Sequence, residues 1–268
     1  MARRPQTRPQ PPRGPRRRDY ENAPLSDDDR SFVRGLVIHE DEALLVFNKP
    51  SGLPVQTRNP DDRTLDRLMA AFARSNGKRP RLVHRLDAQT SGVIVAAKTQ
   101  PAAAALSAAF AGRDVAKRYL AMVQGAPFET DEGEIDVPLA RYRPKPELEL
   151  MRRARPGDEK AQEARTRWRV LASGGDLHVL ELEPMTGRMH QLRAHLSIAG
   201  RPILGDPYYG GAQTLKGAPV PRLMLHAEKL GAPHPSGGTF TISAAPPRDF
   251  ADVLELAGLD LVSRKRVV

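Results

Sequence analysis

The stretch "LVHRLDAQTSGVIVAAKT", residues 82–99, predicts a tight loop that leads into a buried strand. A Thr-Ser-Gly sequence at residues 90–92 marks the turn, and the run that follows it is short, continuous and rich in β-branched residues. Such a run is typical of a strand that is buried on both faces of a sheet. Asp87 therefore lies on a loop that a rigid element holds in place, where catalytic groups are commonly found.

Asp87 is a single acid that follows two basic side chains. If residues 84–87 are extended, Arg85 and Asp87 point to one side, while His84 and Leu86 point to the other. A cation beside the acid would keep its carboxylate ionised at neutral pH, as a nucleophile or a base requires. A lone aspartate is otherwise most often a turn former or a surface ion-pair partner, and that alternative stays open at this point.

The rest of the chain mixes strand and helix patterns without a strict βαβα order. Strands are indicated in four segments, residues 36–56, 117–125, 165–184 and 222–247. Helices are indicated in four others, residues 63–77, 101–114, 188–200 and 248–259. Residues 141–164 are charged and poorly periodic, which predicts a loop or an insertion. The mixture favours a mixed, mostly antiparallel α+β domain with no internal repeat and no second domain.

Composition limits the classes of protein to which this chain could belong. The chain has 268 residues, of which 40% are hydrophobic, so it is long and apolar enough to bury a core. It has no cysteine, which excludes disulfides, thiolate zinc sites and cysteine nucleophiles and suits a cytoplasmic protein. No apolar run is long enough to cross a bilayer, so we expect no membrane association. The usual phosphate-binding glycine loops and the serine-hydrolase elbow are missing from the sequence, so nucleotide cofactors and serine hydrolysis both lose support.

The net charge of +10 is concentrated near the N-terminus. Residues 1–18 contain seven arginines and no acid, so the remaining chain carries only about +3. We predict a disordered Arg/Pro-rich basic tail over residues 1–30, one folded domain over residues 31–262 and a short basic C-terminal tail over residues 263–268. The N-terminal tail could attract the phosphate groups of a nucleic acid independently of its base sequence, or it could serve only as a solubilising extension.

A second motif, "PMTGRMHQLRAHLSIAGRPILGDPYYGG", occupies residues 184–211. Its periodicity predicts a helix with His190, Arg193 and Ser197 on a face different from the apolar one. A polar stripe of this kind is often simply solvated, but the Gly-Asp-Pro-Tyr-Tyr-Gly loop that follows is too specific for an ordinary connector. A metal site at His190 and His195 is poorly supported, because five helical residues separate the two side chains by about 140°.

A third motif, "AKRYLAMVQG", indicates a strand with Tyr119 on the same side as Ala121 and Val123. A tyrosine in such a strand is usually part of the core. With Lys117 and Arg118 just before it, the same ring could instead stack on a nucleic-acid base beside phosphate-binding cations.

Taken in order, three phrases resemble the motifs of the RluA-type pseudouridine synthases, which isomerise uridine in ribosomal or transfer RNA. The family's opening motif is matched by "EDEALLVFNKPSGLPV", its catalytic motif by "HRLDAQTSGVIVAAK" and its third motif by "TGRMHQLRAHLSIAGRPILGDPYYG". The resemblance covers residues 35–250, nearly everything except the tails. Ala88 and Gln89 stand where many members carry charged residues, which leaves the aspartate in place but alters the expected RNA contacts.

The resemblance implies an α+β catalytic domain built on a long, mixed, mostly antiparallel sheet flanked by helices. It implies that Asp87 is the essential carboxylate, that Arg193 pairs with it and that Tyr119 stacks on the target uracil. The reaction requires no cofactor or metal, and the partner is RNA. We expect a cytoplasmic monomer. The alternatives are an RNA-binding protein without catalysis and an unrelated carboxylate hydrolase. The positions expected to contact RNA are His84, Arg85, Lys117, Arg188 and His190.

Overall fold

The computed structural model describes residues 24–57 and 62–260, whose main sheet has ten strands. These are β1 (Val37–Glu40), β2 (Leu44–Lys49), β3 (Arg81–Leu82), β4 (Ser91–Ala97), β5 (Ala116–Gln124), β6 (Glu132–Asp136), β9 (Arg165–Gly174), β10 (Leu177–Pro184), β13 (Leu225–Pro233) and β14 (Thr239–Ser243). Two separate hairpins pair β7 (Leu139–Lys145) with β8 (Leu148–Arg153), and β11 (Thr214–Leu215) with β12 (Ala218–Pro219). The helices are α1 (Asp27–Gly35), α2 (Leu65–Leu68), α3 (Gln100–Gly112), α4 (Gln191–Ile198) and α5 (Arg248–Ala257), and a 3-10 helix covers Met69–Phe72.

The main sheet has the strand order β1-β2-β4-β13-β5-β10-β9-β6, with β3 added at β4 and β14 added at β13. Among the pairings of the described residues, only β4 with β13 is parallel, and all the others are antiparallel. The predicted mixed, mostly antiparallel α+β fold is therefore confirmed.

Strand β4 lies inside the sheet, and all seven of its residues are buried, as the continuous apolar run predicted. It meets β13 at two positions, where Ser91 pairs with His226 and Gly92 with Ala227. Gly92 has a φ of +116°, and a side chain there would collide with the backbone of Ala227. Glycine is therefore required for β4 to approach β13, and this close contact anchors the loop that carries Asp87.

The prediction of a loop over residues 141–164 is wrong for its first part. Residues 139–153 form the β7–β8 hairpin, which packs against α4 and the following loop. The buried residues come in consecutive pairs, Leu139 with Ala140 and Leu150 with Met151, so the two strands show no alternation that the sequence could reveal. Tertiary packing against α4, rather than a visible alternation, holds this hairpin in place.

Helix α1 was not predicted from the sequence, and two predicted helices are shorter than expected. Residues 27–30, predicted as part of the tail, form the start of α1, because Ser26 caps the helix by accepting a hydrogen bond from the Asp29 N–H and three aspartates occupy its first turn. The helix predicted over residues 63–77 is only the short α2 and the 3-10 turn. The helix predicted over residues 188–200 begins at Gln191, since His190 adopts a left-handed φ of +49°. The predictions for residues 1–23 and 263–268 lie outside the described residues.

Candidate active site

Asp87 lies in an open cleft with a volume of about 1750 Å³. The cleft is bordered by the residue 84–90 loop, the end of α3, the start of β5 and the segment that enters α4. The Asp87 side chain is 31% exposed, so its carboxylate is reachable from the cleft while the loop around it is held by buried neighbours. Leu86 is buried and Arg85 is exposed, as the predicted alternation requires.

Arg193 is the cation that faces Asp87. Its Nη1 lies 3.5 Å from Asp87 Oδ2, while its Nε and Nη2 each donate a hydrogen bond of 2.8 Å to Asp206. The Arg193 side chain is 4% exposed and that of Asp206 is fully buried. Burial opposes the charge of Arg193, but the hydrogen bonds to Asp206 and the charges of Asp206 and Asp87 raise the pKa of Arg193 above its usual value. The guanidinium therefore stays charged and fixed in front of Asp87.

Asp206 was not singled out in the sequence, although the loop that carries it was. Its Oδ1 also accepts hydrogen bonds from the backbone N–H groups of Tyr208 and Tyr209, at 3.0 and 3.2 Å. One carboxylate thus orients the Arg193 guanidinium and shapes the loop that follows. The available signal was a single acid in a Gly-Asp-Pro phrase close in sequence to the predicted helix arginine.

Gln191 is a second buried residue that sequence reasoning missed. Its Oε1 accepts hydrogen bonds from the Thr186 hydroxyl at 2.6 Å and from the Arg188 N–H at 3.0 Å. Its Nε2 donates to the Arg165 carbonyl and the Thr166 hydroxyl. The side chain therefore joins the turn before α4 to strand β9. These hydrogen bonds fix the start of α4, the helix that carries Arg193.

Lys49 anchors the loop of Asp87 through hydrogen bonds to backbone carbonyl groups. This lysine is fully buried, and its Nζ donates hydrogen bonds of 2.9 Å to the carbonyl oxygens of Pro50, Leu53 and Ala88. Three acceptors match the three donors of an ammonium group. Burial lowers the pKa of Lys49, whereas the negative charge of Asp87 acts in the opposite direction. Because Ala88 is the residue next to Asp87, Lys49 ties the first motif directly to the second.

His190 also faces Asp87, and its nearest nitrogen is at a longer distance. His190 Nε2 lies 3.9 Å from Asp87 Oδ2, and its Nδ1 lies 3.1 Å from the Tyr209 hydroxyl. Tyr209 accepts a hydrogen bond from the Met151 N–H at 2.8 Å, so its own proton is available for His190 Nδ1. This network places the His190 proton on Nε2, facing Asp87. Burial lowers the pKa of His190 although the charge of Asp87 opposes the shift, so the imidazole is neutral at pH 7.

Replacing Tyr209 with phenylalanine is expected to destabilise the fold by about 1–3 kcal/mol. The change removes the acceptor of the buried Met151 N–H and the donor to His190 while the ring stays in place. Denaturant unfolding of the two proteins measures the difference. Tyr142→Phe is a matched control, because Tyr142 is half-buried and its hydroxyl forms no hydrogen bond with the described residues. Equal unfolding free energies for Tyr209→Phe and Tyr142→Phe would contradict this network.

Tyr119 and Lys117 line the cleft on strand β5. Tyr119 pairs with Ala227 of β13 and Leu182 of β10, so its backbone is fixed on both sides. Burial, and to a lesser degree the charge of Asp87, raise the pKa of Tyr119, so its hydroxyl is protonated at pH 7. Burial lowers the pKa of Lys117, which forms no ion pair with a carboxylate of the described residues.

The remaining predicted contacts occupy different environments. The His84 ring stacks on Phe110 with centroids 4.5 Å apart, and its Nε2 accepts a hydrogen bond from the Val95 N–H at 3.0 Å. Burial, with a smaller effect of Lys117, lowers the pKa of His84 to about 3, so the ring is neutral and packs the loop against β4. Arg85 is exposed at the cleft and forms no ion pair with Asp87, whose cation is Arg193.

Arg188 also borders the cleft, and its Nε donates a hydrogen bond of 2.9 Å to the Glu163 carbonyl. No group of three or more His, Cys, Asp or Glu side chains within residues 24–57 and 62–260 is arranged to hold a metal ion. In the same part of the chain, no helix is both long and apolar enough to span a membrane.

A family model described as RNA pseudouridylate synthase matches residues 43–198, which include the loop of Asp87, strand β5 and helix α4. The chain belongs to the RluA-type pseudouridine synthase family. It is therefore an isomerase that acts on RNA, and the resemblance seen in the three sequence motifs is confirmed.

Two curated pseudouridine synthases illustrate the relationship. Ribosomal large subunit pseudouridine synthase D of Zymomonas mobilis is 37% identical over 229 residues, which are 80% of this chain and 69% of that protein. Dual-specificity RNA pseudouridine synthase RluA of Escherichia coli (strain K12) is 36% identical over 223 residues, which are 80% of this chain and 94% of that protein.

The fold has a counterpart among solved pseudouridine synthase structures. Human RNA Pseudouridylate Synthase Domain Containing 4 superimposes with a TM-score of 0.74 at 29% identity, over 87% of this chain and 98% of that one. Human RNA Pseudouridylate Synthase Domain Containing 1 superimposes with a TM-score of 0.65 at 28% identity, over 79% of this chain and 83% of that one. The ten-stranded sheet and its flanking helices are thus those of a pseudouridine synthase domain.

Proposed function

We propose that this pseudouridine synthase isomerises specific uridines in ribosomal or transfer RNA, with Asp87 as its catalytic carboxylate. The observation that supports the role of Asp87 is its pairing with Arg193, a buried guanidinium that Asp206 orients from the other side. A permanently charged guanidinium beside a partly exposed carboxylate holds that carboxylate in one orientation before substrate arrives.

The isomerisation breaks the bond between uracil N1 and ribose C1′ and forms a bond between uracil C5 and the same ribose carbon. The proton on C5 leaves and N1 gains a proton, so the reaction changes neither oxidation state nor composition. No cofactor is therefore proposed. An ionised Asp87 can act as a nucleophile or can remove a ribose proton, and both roles need a single carboxylate.

A uridine stacked in RNA does not reach this carboxylate, so the target nucleotide must be flipped into the cleft, most easily from a loop. In this proposal Tyr119 stacks on the uracil, and Arg85 occupies or holds the position that the base leaves. Lys117 and Arg188 contact the RNA backbone from the sides of the cleft. His84 and His190 contact the RNA as neutral rings and add no positive charge, because burial lowers the pKa of both.

The curated relatives support the proposed class of RNA. One carries the name of a ribosomal large subunit enzyme and another that of a dual-specificity RNA enzyme. We propose that the protein acts as a cytoplasmic monomer, since a large RNA supplies most of the binding surface.

The proposal is tested by incubating the full chain with unmodified transcripts of ribosomal RNA and transfer RNA and mapping pseudouridine chemically. We expect new pseudouridine at one or a few defined positions. Binding without any modification in either RNA would contradict the catalytic proposal and would favour the RNA-binding alternative. Release of free uracil would instead favour a hydrolase.

A further inference from the structure

Tyr208 is an exposed aromatic side chain on the wall of the cleft. Among the described residues, four large hydrophobic residues are at least 36% exposed, and Tyr208 is the most exposed of them at 47%. Ile38 and Leu256 lie outside the cleft, whereas Tyr208 and Met185 border it. Exposure alone is common for single apolar side chains, but an aromatic ring on the wall of a cleft offers apolar, flat surface to a ligand that enters the cleft.

The loop that carries Tyr208 is fixed by a hydrogen bond to Asp206 and by close backbone packing at Gly205. Asp206 Oδ1 accepts the Tyr208 N–H at 3.0 Å and also receives Arg193 Nη2. Gly205, just before Asp206, has a φ of +71°, and a side chain there would collide with the backbone of Arg222. The loop is thus held by a buried carboxylate and by a close backbone approach, so the exposed ring has a defined position.

Tyr208 is also close to the reacting site. The Arg193 guanidinium carbon lies 5.7 Å from the centroid of the Tyr208 ring, and the same guanidinium reaches Asp87 at 3.5 Å. A single side chain therefore separates the ring from the catalytic carboxylate. The Tyr208 hydroxyl forms no hydrogen bond with the described residues, and the side chain is 47% exposed, so both the hydroxyl and part of the ring surface are open to a ligand in the cleft.

We infer that Tyr208 is a stacking platform for the base of a nucleotide adjacent to the target uridine. This inference rests on the proposed function, because it requires an RNA strand in the cleft. Aromatic rings bind single-stranded bases by stacking, and they do so with little regard to base identity. When the target uridine is flipped toward Asp87, its neighbour loses a stacking partner, and the Tyr208 ring replaces that partner at the required distance.

A purely structural role would be to cover the Arg193–Asp206 pair from water. Three variants separate the two roles. Tyr208→Phe keeps the ring, Tyr208→Leu keeps an apolar cover but loses the flat face, and Tyr208→Ala loses both. Leu256→Ala is the matched control, since Leu256 is 37% exposed on α5 and does not border the cleft.

The measurement uses a short fragment of the RNA in which the wild-type chain forms pseudouridine, and it records KM and kcat separately. We expect Tyr208→Leu and Tyr208→Ala to raise KM by roughly 5- to 100-fold with little change in kcat. Tyr208→Phe and Leu256→Ala should behave like the wild type. An abasic nucleotide on one side of the target should raise the KM of the wild type by a similar factor and should add little to the effect of Tyr208→Leu.

Two results would overturn the inference. One is a Tyr208→Leu protein with unchanged KM while Tyr208→Ala loses kcat, which would assign the ring to covering the ion pair. The other is full additivity between Tyr208→Leu and an abasic nucleotide on either side of the target. Both are distinct from failure of the proposed function, in which the wild-type chain itself would form no pseudouridine.

Discussion

Asp87→Asn is expected to lower the rate of pseudouridine formation by about 1000-fold or more. Asparagine has nearly the same shape as aspartate, but it is neutral and serves neither as a nucleophile nor as a base. Arg193 keeps its two hydrogen bonds to Asp206 in this variant, so the position of the guanidinium and the fold around it should be preserved. Single-turnover assays on an RNA that the wild type modifies measure the effect directly.

The controls for this variant separate chemistry from binding and folding. Asp87→Asn should bind the RNA with an affinity within a few-fold of the wild type and should unfold at a similar denaturant concentration, since the Asp87 side chain is 31% exposed. Asp87→Glu keeps the charge but displaces it, so its activity should also fall. If Asp87→Asn formed pseudouridine at the wild-type rate, the catalytic role of this carboxylate would have to be abandoned.

Asp206→Asn is expected to lower the free energy of unfolding by about 3–5 kcal/mol and to reduce kcat. Asp206 is fully buried and neutralises Arg193, which is itself only 4% exposed. Without this carboxylate, the guanidinium keeps Asp87, at 3.5 Å, as its only negatively charged partner among residues 24–57 and 62–260. Both the fold and the orientation of Asp87 should therefore suffer. Denaturant unfolding and single-turnover rates measure the two effects separately.

The matched control is the exposed pair of Arg248 and Asp252 on α5. Its side chains are 86% and 52% exposed, so Asp252→Asn should change the unfolding free energy by less than about 1 kcal/mol. A loss at Asp206 as small as that at Asp252 would show that the buried pair does not stabilise the fold. Unchanged kcat in Asp206→Asn would show that Arg193 is oriented by other contacts.

Local patterns predicted much of the fold and only part of the site. Strand β4 and helix α3 were predicted because their composition is distinctive and local, a continuous apolar run in the first and an alanine-rich segment entered through a proline in the second. Arg193 was predicted through the resemblance, and its position 3.5 Å from Asp87 agrees with that expectation. The β7–β8 hairpin was missed because its buried residues are consecutive rather than alternating and are covered only when the hairpin packs against α4.

The missed site residues have a common physical cause. Lys49, Gln191 and Asp206 are polar groups that become buried only when distant segments meet. Gln191 contacts residues 25 and 26 positions away, and Lys49 contacts a carbonyl 39 positions away. In the sequence, a polar residue that will be buried in this way looks the same as a polar residue on the protein surface. Their importance is visible only from the hydrogen bonds in the folded chain.

The position of β13 in the sheet has a consequence for how the protein is made. This strand lies between β4 and β5, yet it follows both by more than a hundred residues in the chain. Until residues 225–233 leave the ribosome, the edge of β5 that β13 covers and the Ser91–Gly92 end of β4 lack their partner, while β3 can pair only with the Ala96–Ala97 end of β4. The loop of Asp87 therefore acquires its anchor late in synthesis. Nascent chains that stop short of β13 should be inactive and prone to aggregation, because strand edges in their sheet remain unpaired.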